Sequence, residues 1–254
     1  MGRRSAPRPV DDRTKFVKKL SQERSGTMFP TIRTVRAPEE SARAFVYRVL
    51  SMYIRELFLR PGEKLVEGNV AHALQVSRTP VHDTFSRLIR EKMLQPAPRG
   101  AVVPPLNPDA ILQLIWMYRT TTVAVLGELY NSRPASLEVL EHCVADQYKA
   151  LRSGSTVQMA GLERVFLTEL YTLADRLPVL QALEYTGTDL YRLLRMMEDE
   201  RMWKFIVDCH TDLVQGLALR NHEEAVTALE AEYDLFIPLL EECRYRFPSF
   251  FQSA

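Results

Sequence analysis

Over most of the chain apolar residues recur every three to four positions, the spacing that lays them along one side of a helix with 3.6 residues per turn. The first such run is 41–59, where Phe45, Val46, Val49, Leu50, Tyr53, Ile54, Leu57 and Phe58 make a stripe too broad for a helix to leave in water. It predicts a bracing helix, stopped by Arg60, Pro61 and Gly62. In the next run Val66, Val70 and Leu74 space a short helix, and Gln75 and Val76 leave only a turn before Ser77. Ser77 is expected to cap the following helix, because its side-chain oxygen can accept from a first-turn N–H, and Pro80 is tolerable where that turn needs no donor. There Val81, Phe85, Leu88 and Ile89 share one side and must be buried. Thr79, His82, Asp83, Ser86 and Arg90 take the other side, with Arg78 and Arg87 at its margins. A face of hydrogen-bonding and cationic groups suits a DNA major groove.

After this paired-helix spacing, 94–96 and 101–103 bracket Ala97, Pro98, Arg99 and Gly100. Gly100 is free to take a positive φ and Arg99 stands at the tip, so the segment predicts a two-stranded wing. The stretch 104–108, Pro-Pro-Leu-Asn-Pro, is stiff and poor in N–H donors and reads as a linker. Beyond it every run has helical period. Ile111, Leu114, Ile115, Tyr118, Thr122, Val125, Leu126 and Leu129 mark one helix, and Leu137, Leu140, Val144 and Tyr148 the next. Further helices are expected over 157–175, 178–198, 200–219 and 222–245, with Asn221 as an N-cap and Pro238 as an internal breaker. The fold class expected is mainly α: an N-terminal winged helix-turn-helix with a small β-wing, then an all-α bundle of six or seven antiparallel helices. The implied domains are a basic disordered tail over 1–36, the winged helix over 37–103, a linker over 104–108 and the bundle over 109–248.

Composition adds little to that picture. The 254 residues suffice for two cores, and the formal net charge is only +1. That balance hides asymmetry, since residues 1–40 hold ten Lys or Arg against five Asp or Glu. Arg3, Arg4, Lys18 and Lys19 in the tail would add salt-dependent phosphate affinity, although such a tail is more often a solvated extension; a short helix is expected at 14–20. Cys143, Cys209 and Cys243 lie in apolar helical patterns at no metal-like spacing, which favours buried free thiols in a reducing compartment. The first residues lack the apolar core of a secretory signal, and no run of about 20 apolar residues is seen. The expectation is a cytoplasmic, nucleoid-associated bacterial protein without membrane contact. No nucleophile–base pairing or phosphate-binding loop is visible, so no enzyme is expected.

The stretch 61–103 resembles the DNA-binding domain of GntR-family bacterial transcription regulators, over about 42–103. The most specific part is Val76-Ser77-Arg78-Thr79-Pro80-Val81, together with Pro61-Gly62 and the wing Arg99-Gly100-Ala101-Val102-Val103. The family pattern continues with Arg-Glu where this chain has His82 and Asp83, and often has an Arg where Gly68 stands. The resemblance implies DNA contacts from Ser77, Arg78, Thr79, Ser86, Arg87, Arg99 and Gly100, with His82 reading a changed base or a phosphate. A lost bidentate base contact is worth roughly 1–3 kcal/mol of discrimination, so the operator is expected to differ.

A helical bundle behind such a winged helix resembles the FCD subgroup, whose C-terminal domain binds a small molecule and helps form a dimer. The subgroup's metal ligands, an Asp, a His four residues on and two later His, align with Glu163, Leu167, His210 and Glu232. Leu167 cannot ligate, and the loss of two imidazoles weakens a zinc or nickel site, so no cofactor is counted on and a divalent metal is not expected. The plain reading leaves His210 half-buried and both glutamates exposed. The resemblance also offers Arg119 as a carboxylate clamp beside Glu163, His210 and Glu232 in an effector site, against the commoner fate of a helix-surface arginine. Met196, Met197, Met202 and Trp203 suit either an apolar ligand cavity or core packing.

The implied partners are a near-palindromic duplex operator, a small effector such as a carboxylic acid, and a second copy of the chain. The implied function is a repressor whose operator affinity the effector controls. A ligand-independent DNA-binding protein with a purely dimerising bundle, and a helical enzyme with a fortuitous winged helix, are the alternatives.

Overall fold

The computed structural model describes residues 35–252, apart from 133 and 135. The tail over 1–36 and its helix at 14–20 therefore lie almost wholly outside the described residues.

Helix α1 (Ala42–Arg55) is capped by Ser41, whose Oγ accepts from the Ala44 N–H at 3.1 Å. It ends four residues before the expected limit, because Leu57 turns to a φ of 59°. Helix α2 (Glu67–Leu74) and helix α3 (Arg78–Arg90) are joined by a turn whose Gln75 takes the left-handed conformation. Ser77 does stand at the N-cap of α3, with extended backbone, but its side chain makes no capping bond. Val81, Phe85 and Leu88 are buried as their spacing requires, together with Thr84, whose hydroxyl returns to the Pro80 carbonyl at 2.8 Å. These residues share a core with Phe45, Val49, Ile54, Val70 and Leu94.

The wing has three strands where two were expected. Strands β2 (Gln95–Ala97) and β3 (Gly100–Val102) form the hairpin, and β1 (Lys64–Leu65), just before α2, pairs antiparallel with β3 in the order β1-β3-β2. Two-residue β1 is too short to show a period-2 pattern, so its pairing is visible only in three dimensions.

The bundle comprises α4 (Pro108–Ser132), α5 (Glu138–Arg152), α6 (Met159–Leu173), α7 (Leu177–Thr186), α8 (Asp189–Leu194), α9 (Glu200–Leu219) and α10 (His222–Arg246). Helix α9 packs on α10 and α5, while α4 lies against α10. Asn221 caps α10 through the Glu224 N–H at 3.2 Å. Two expectations are corrected. The segment 178–198 is broken into α7 and α8 at Gly187, where an added Cβ would sit 3.3 Å from Leu114 Cδ1. Conversely Pro238 does not break α10, which runs through it with Leu239 and Leu240 buried on the core side. By length and composition α4 could cross a membrane, contrary to the sequence reading. Its Ile111, Leu114, Ile115, Val125, Leu126 and Leu129 are instead spent on the bundle core.

The two cores are stitched together. Leu57, from the turn after α1, belongs to the bundle core and not to the winged helix's own. Its neighbour Glu56 accepts a hydrogen bond from the Tyr191 hydroxyl and pairs with Arg195 Nε at 2.6 Å. In the linker, the Pro104 carbonyl accepts from buried Arg192 at 3.0 Å, and the Asn107 N–H donates to Asp189 at 3.0 Å. Leu106 pairs with Phe251 in a parallel bridge, so residues after α10 fold back onto the linker.

Candidate nucleic-acid interface and buried cation site

Arg78, Thr79 and His82 stand exposed on the open face of α3, and Ser86 is half-exposed beside them. The Arg78 guanidinium lies across Gly68, whose hypothetical Cβ would be 3.5 Å from one of its terminal nitrogens. A Cβ at 68 would meet it only at van der Waals contact, so the guanidinium rests directly on α2. His82 Nδ1 is 2.9 Å from Glu67 Oε1, a pair joining α3 to α2 across the same face. The hydrogen bond and charge of Glu67 raise the His82 pKa above its ordinary value, which favours imidazolium.

Two expected DNA contacts have other work. Arg87 lies over the Tyr47 ring at 3.5 Å and pairs with Glu91 at 2.8 Å, while the Tyr47 hydroxyl donates to the same carboxylate. It clamps the end of α3 to α1. Gly100 is required by the wing itself, because a Cβ there would sit 2.0 Å from the Leu65 carbonyl oxygen. Arg99 holds the exposed tip with a φ of 65°, so the left-handed residue of the turn is the arginine as well as the glycine.

In the bundle, α6, α9 and α10 converge on Glu163, His210 and Glu232, only 3 %, 0 % and 1 % exposed. This corrects the plain reading, in which the glutamates faced water. One ligand atom from each lies within 4.8 Å of the others. His210 Nε2 is 3.2 Å from Glu163 Oε2 and 3.3 Å from Glu232 Oε2. Those contacts are close enough for ion pairing, yet His210 Nε2, Glu163 Oε2 and Glu232 Oε1 have no hydrogen-bond partner among the described residues. His210 Nδ1–H donates to Gln147 Oε1 at 2.9 Å, a tautomer that turns the Nε2 lone pair towards the carboxylates. Phe166 stacks on the ring at 3.8 Å and fixes its plane. Burial, and for Glu163 also the charge of Glu232, pushes both carboxyl groups up to about 8, while burial lowers His210.

The donor set has the chemistry of a divalent-cation site. Two carboxylates supply the charge to neutralise the ion, the imidazole presents a lone pair braced from behind, and one ligand atom from each residue lies within 4.8 Å of the others. The residues fit such an ion, with Leu167 leaving the fourth family position without a donor.

A cavity of about 60 Å³ opens beside Glu163, lined also by Leu167, Arg164, Tyr191, Tyr118 and Arg55. Arg119 is not among its walls; it lies on the outside of the bundle, paired with Glu230 at 3.1 Å and Asp234 at 2.8 Å of α10. The helix-surface alternative for Arg119 is the one observed. Met196, Met197 and Trp203 are packed in the core and also leave the cavity to other residues. Arg55, which also lines the cavity, was not singled out in the sequence, where it is only a charge at the end of an amphipathic helix.

The geometry defines the class as a winged helix-turn-helix DNA-binding domain followed by an all-helical bundle. Residues 42–103 match the family model "Bacterial regulatory proteins, gntR family", so this part of the chain is similar to that family's regulators. A curated relative, the HTH-type transcriptional regulator McbR of Escherichia coli (strain K12), is 27% identical over 124 residues, which is 48% of this chain and 56% of the relative. The aligned stretch thus spans little more than half of that protein. Among solved structures, E. coli McbR superposes with a TM-score of 0.68 at 17% identity, covering 80% of this chain and 98% of that one. A GntR transcriptional regulator from Rhodococcus sp. RHA1 does so at 0.69 and 18% identity, covering 79% and 97%. At these identities the two structures establish that the whole architecture, bundle included, is shared.

Proposed function

We propose that the protein is a dimeric, sequence-specific transcription repressor of the bacterial cytoplasm, whose operator affinity is set by a small molecule in the bundle. The observation that carries the DNA-binding part is the open polar face of α3, with Arg78, Thr79 and His82 clear of the core and Arg99 at the wing tip. Two such helices about a two-fold axis would enter successive major grooves of a near-palindromic site. No catalytic residue is assigned. The decisive experiment is a salt-controlled titration of upstream DNA with wild type and Arg78→Ala. Loss of one bidentate base contact should weaken specific binding roughly 5- to 150-fold with unchanged circular dichroism. Equal, weak and salt-sensitive binding by both would sink the reading.

For the bundle, the reading is that Glu163, His210 and Glu232 hold a divalent cation of the manganese type, which supplies a Lewis-acidic point for an anionic effector. Support comes from three buried, converging donors with orphaned atoms and the imidazole braced by Gln147. The same observation favours an effector sensor over the purely dimerising bundle.

A further inference from the structure

His82 lies one turn beyond Arg78, in the N-terminal half of α3, the part of a recognition helix that meets base edges. Its side chain is 67 % exposed, and among the described residues only Nδ1 has a partner, Glu67 Oε1 at 2.9 Å. A carboxylate can only accept, so the proton between them belongs to Nδ1. The tautomer is thereby decided from α2, and Nε2 is the nitrogen left for DNA. Neutral His82 then offers a bare lone pair at Nε2, whereas the imidazolium offers Nε2–H. One side chain thus has two opposite hydrogen-bonding polarities. The groups around the ring set which of them is present. Glu67 faces it from α2; on α3 itself Arg78 lies one turn before it and Asp83 beside it, and Arg43 of α1 stands 4.0 Å from Asp83. The hydrogen bond and charge of Glu67, with a smaller contribution from Asp83, outweigh desolvation, so the two forms exchange above the ordinary imidazole value.

We propose that Glu67 is a positioning residue that makes His82 a specificity-determining one, selecting guanine at its operator position as imidazolium and cytosine as neutral imidazole. The inference rests on the DNA-binding reading above and adds which base this residue reads and what sets the choice. In the major groove guanine presents two acceptors, N7 and O6, while cytosine presents the N4 amino donor. Each state is also repelled by the wrong base: a lone pair meets the guanine acceptors, or an N–H meets the cytosine amino group. Discrimination therefore has an attractive and a repulsive part in both states. A guanidinium at the same place could only donate and would hold one preference at every pH.

The test uses the full chain to select duplexes with a randomised core at fixed salt, at one pH below the ordinary imidazole range and one well above it. Sequencing of the bound duplexes gives the base preference at each position. The variants are Glu67→Gln and His82→Ala, each checked for fold by circular dichroism at both pH values. In wild type one position of each half-site should pass from guanine to cytosine as pH rises, with a preference of roughly two- to tenfold in each direction. In His82→Ala that position should lose its preference at both pH values. In Glu67→Gln the amide can donate as well as accept, so the proton is free to sit on either ring nitrogen. Guanine should then stay accepted by the neutral ring, and the reversal should disappear although the imidazole is still there. A reversal kept in Glu67→Gln would overturn the part given to Glu67. A motif with no pH-dependent position, or a reversal intact in His82→Ala, would overturn the whole inference and leave the DNA-binding reading standing. A loss of affinity with pH that depends on His82 but is equal for every base would place the ring on a phosphate and overturn the base assignment. Enrichment of no motif at either pH would overturn the DNA-binding reading and this inference with it.

Discussion

At the scale of single residues, the reading face of α3 is organised by what α2 places behind it. Gly68 gives Arg78 a surface to lie on, and Glu67 holds the imidazole of His82. Both departures from the family pattern are therefore paired with a neighbour, and His82 should act as a conditional cation. Its pKa is raised on folding, so the stabilising contact with Glu67 is fully present below the unfolded pKa and is lost as pH rises through the folded one. Operator affinity should accordingly decline as pH rises through the ordinary imidazole range and above it. In Glu67→Gln the decline should move to lower pH, and in His82→Asn it should flatten. Titrations at fixed salt check this; an unchanged profile in both variants would exclude His82 from the interface.

At the scale of elements, the helices and most of their caps were legible because their signals are local, although Ser77 stands at the N-cap of α3 without making the expected bond. Asn221 before α10 and the apolar stripe of α1 need only neighbouring residues to be read. What escaped depends on contacts distant in sequence. The role of Gly100 comes from Leu65, on a strand too short to leave a pattern, and the break at Gly187 comes where Leu114 presses close. Pro238 misled for the opposite reason: a helix held by buried neighbours on both sides of a proline can bear the lost donor. Among site residues, the Glu163, His210 and Glu232 set was found by alignment to a family pattern, yet their burial was invisible, because charged residues at helical spacing usually face water. Gly100→Ala follows as a prediction of this scale. The clash with the Leu65 carbonyl cannot be relieved by a rotamer, so a loss of about 1–3 kcal/mol is expected by urea unfolding, together with weaker DNA binding as the wing shifts. A stability within error of wild type would refute the close approach.

At the scale of the whole molecule, the domains meet through few residues that each belong partly to the other side. Leu57 is the clearest, a product of the first helix that fills the second core. Leu57→Ala should cost roughly 2–5 kcal/mol, by the usual price of a large buried truncation, and should fall on the bundle's unfolding transition as much as on the winged helix's. Calorimetry would show it; a loss confined to the winged helix would mean that the docking is not maintained in solution.

The linker has a consequence of the same scale. Pro104 is tied to Arg192, Asn107 to Asp189, and Leu106 is stitched to Phe251, so no part of this short connection is left to pay out as slack. A tether of that kind cannot let the winged helix wander in search of a groove. It behaves as a bearing, about which the reading head can swing but from which it cannot retreat, and any load taken from DNA is delivered as torque to the bundle.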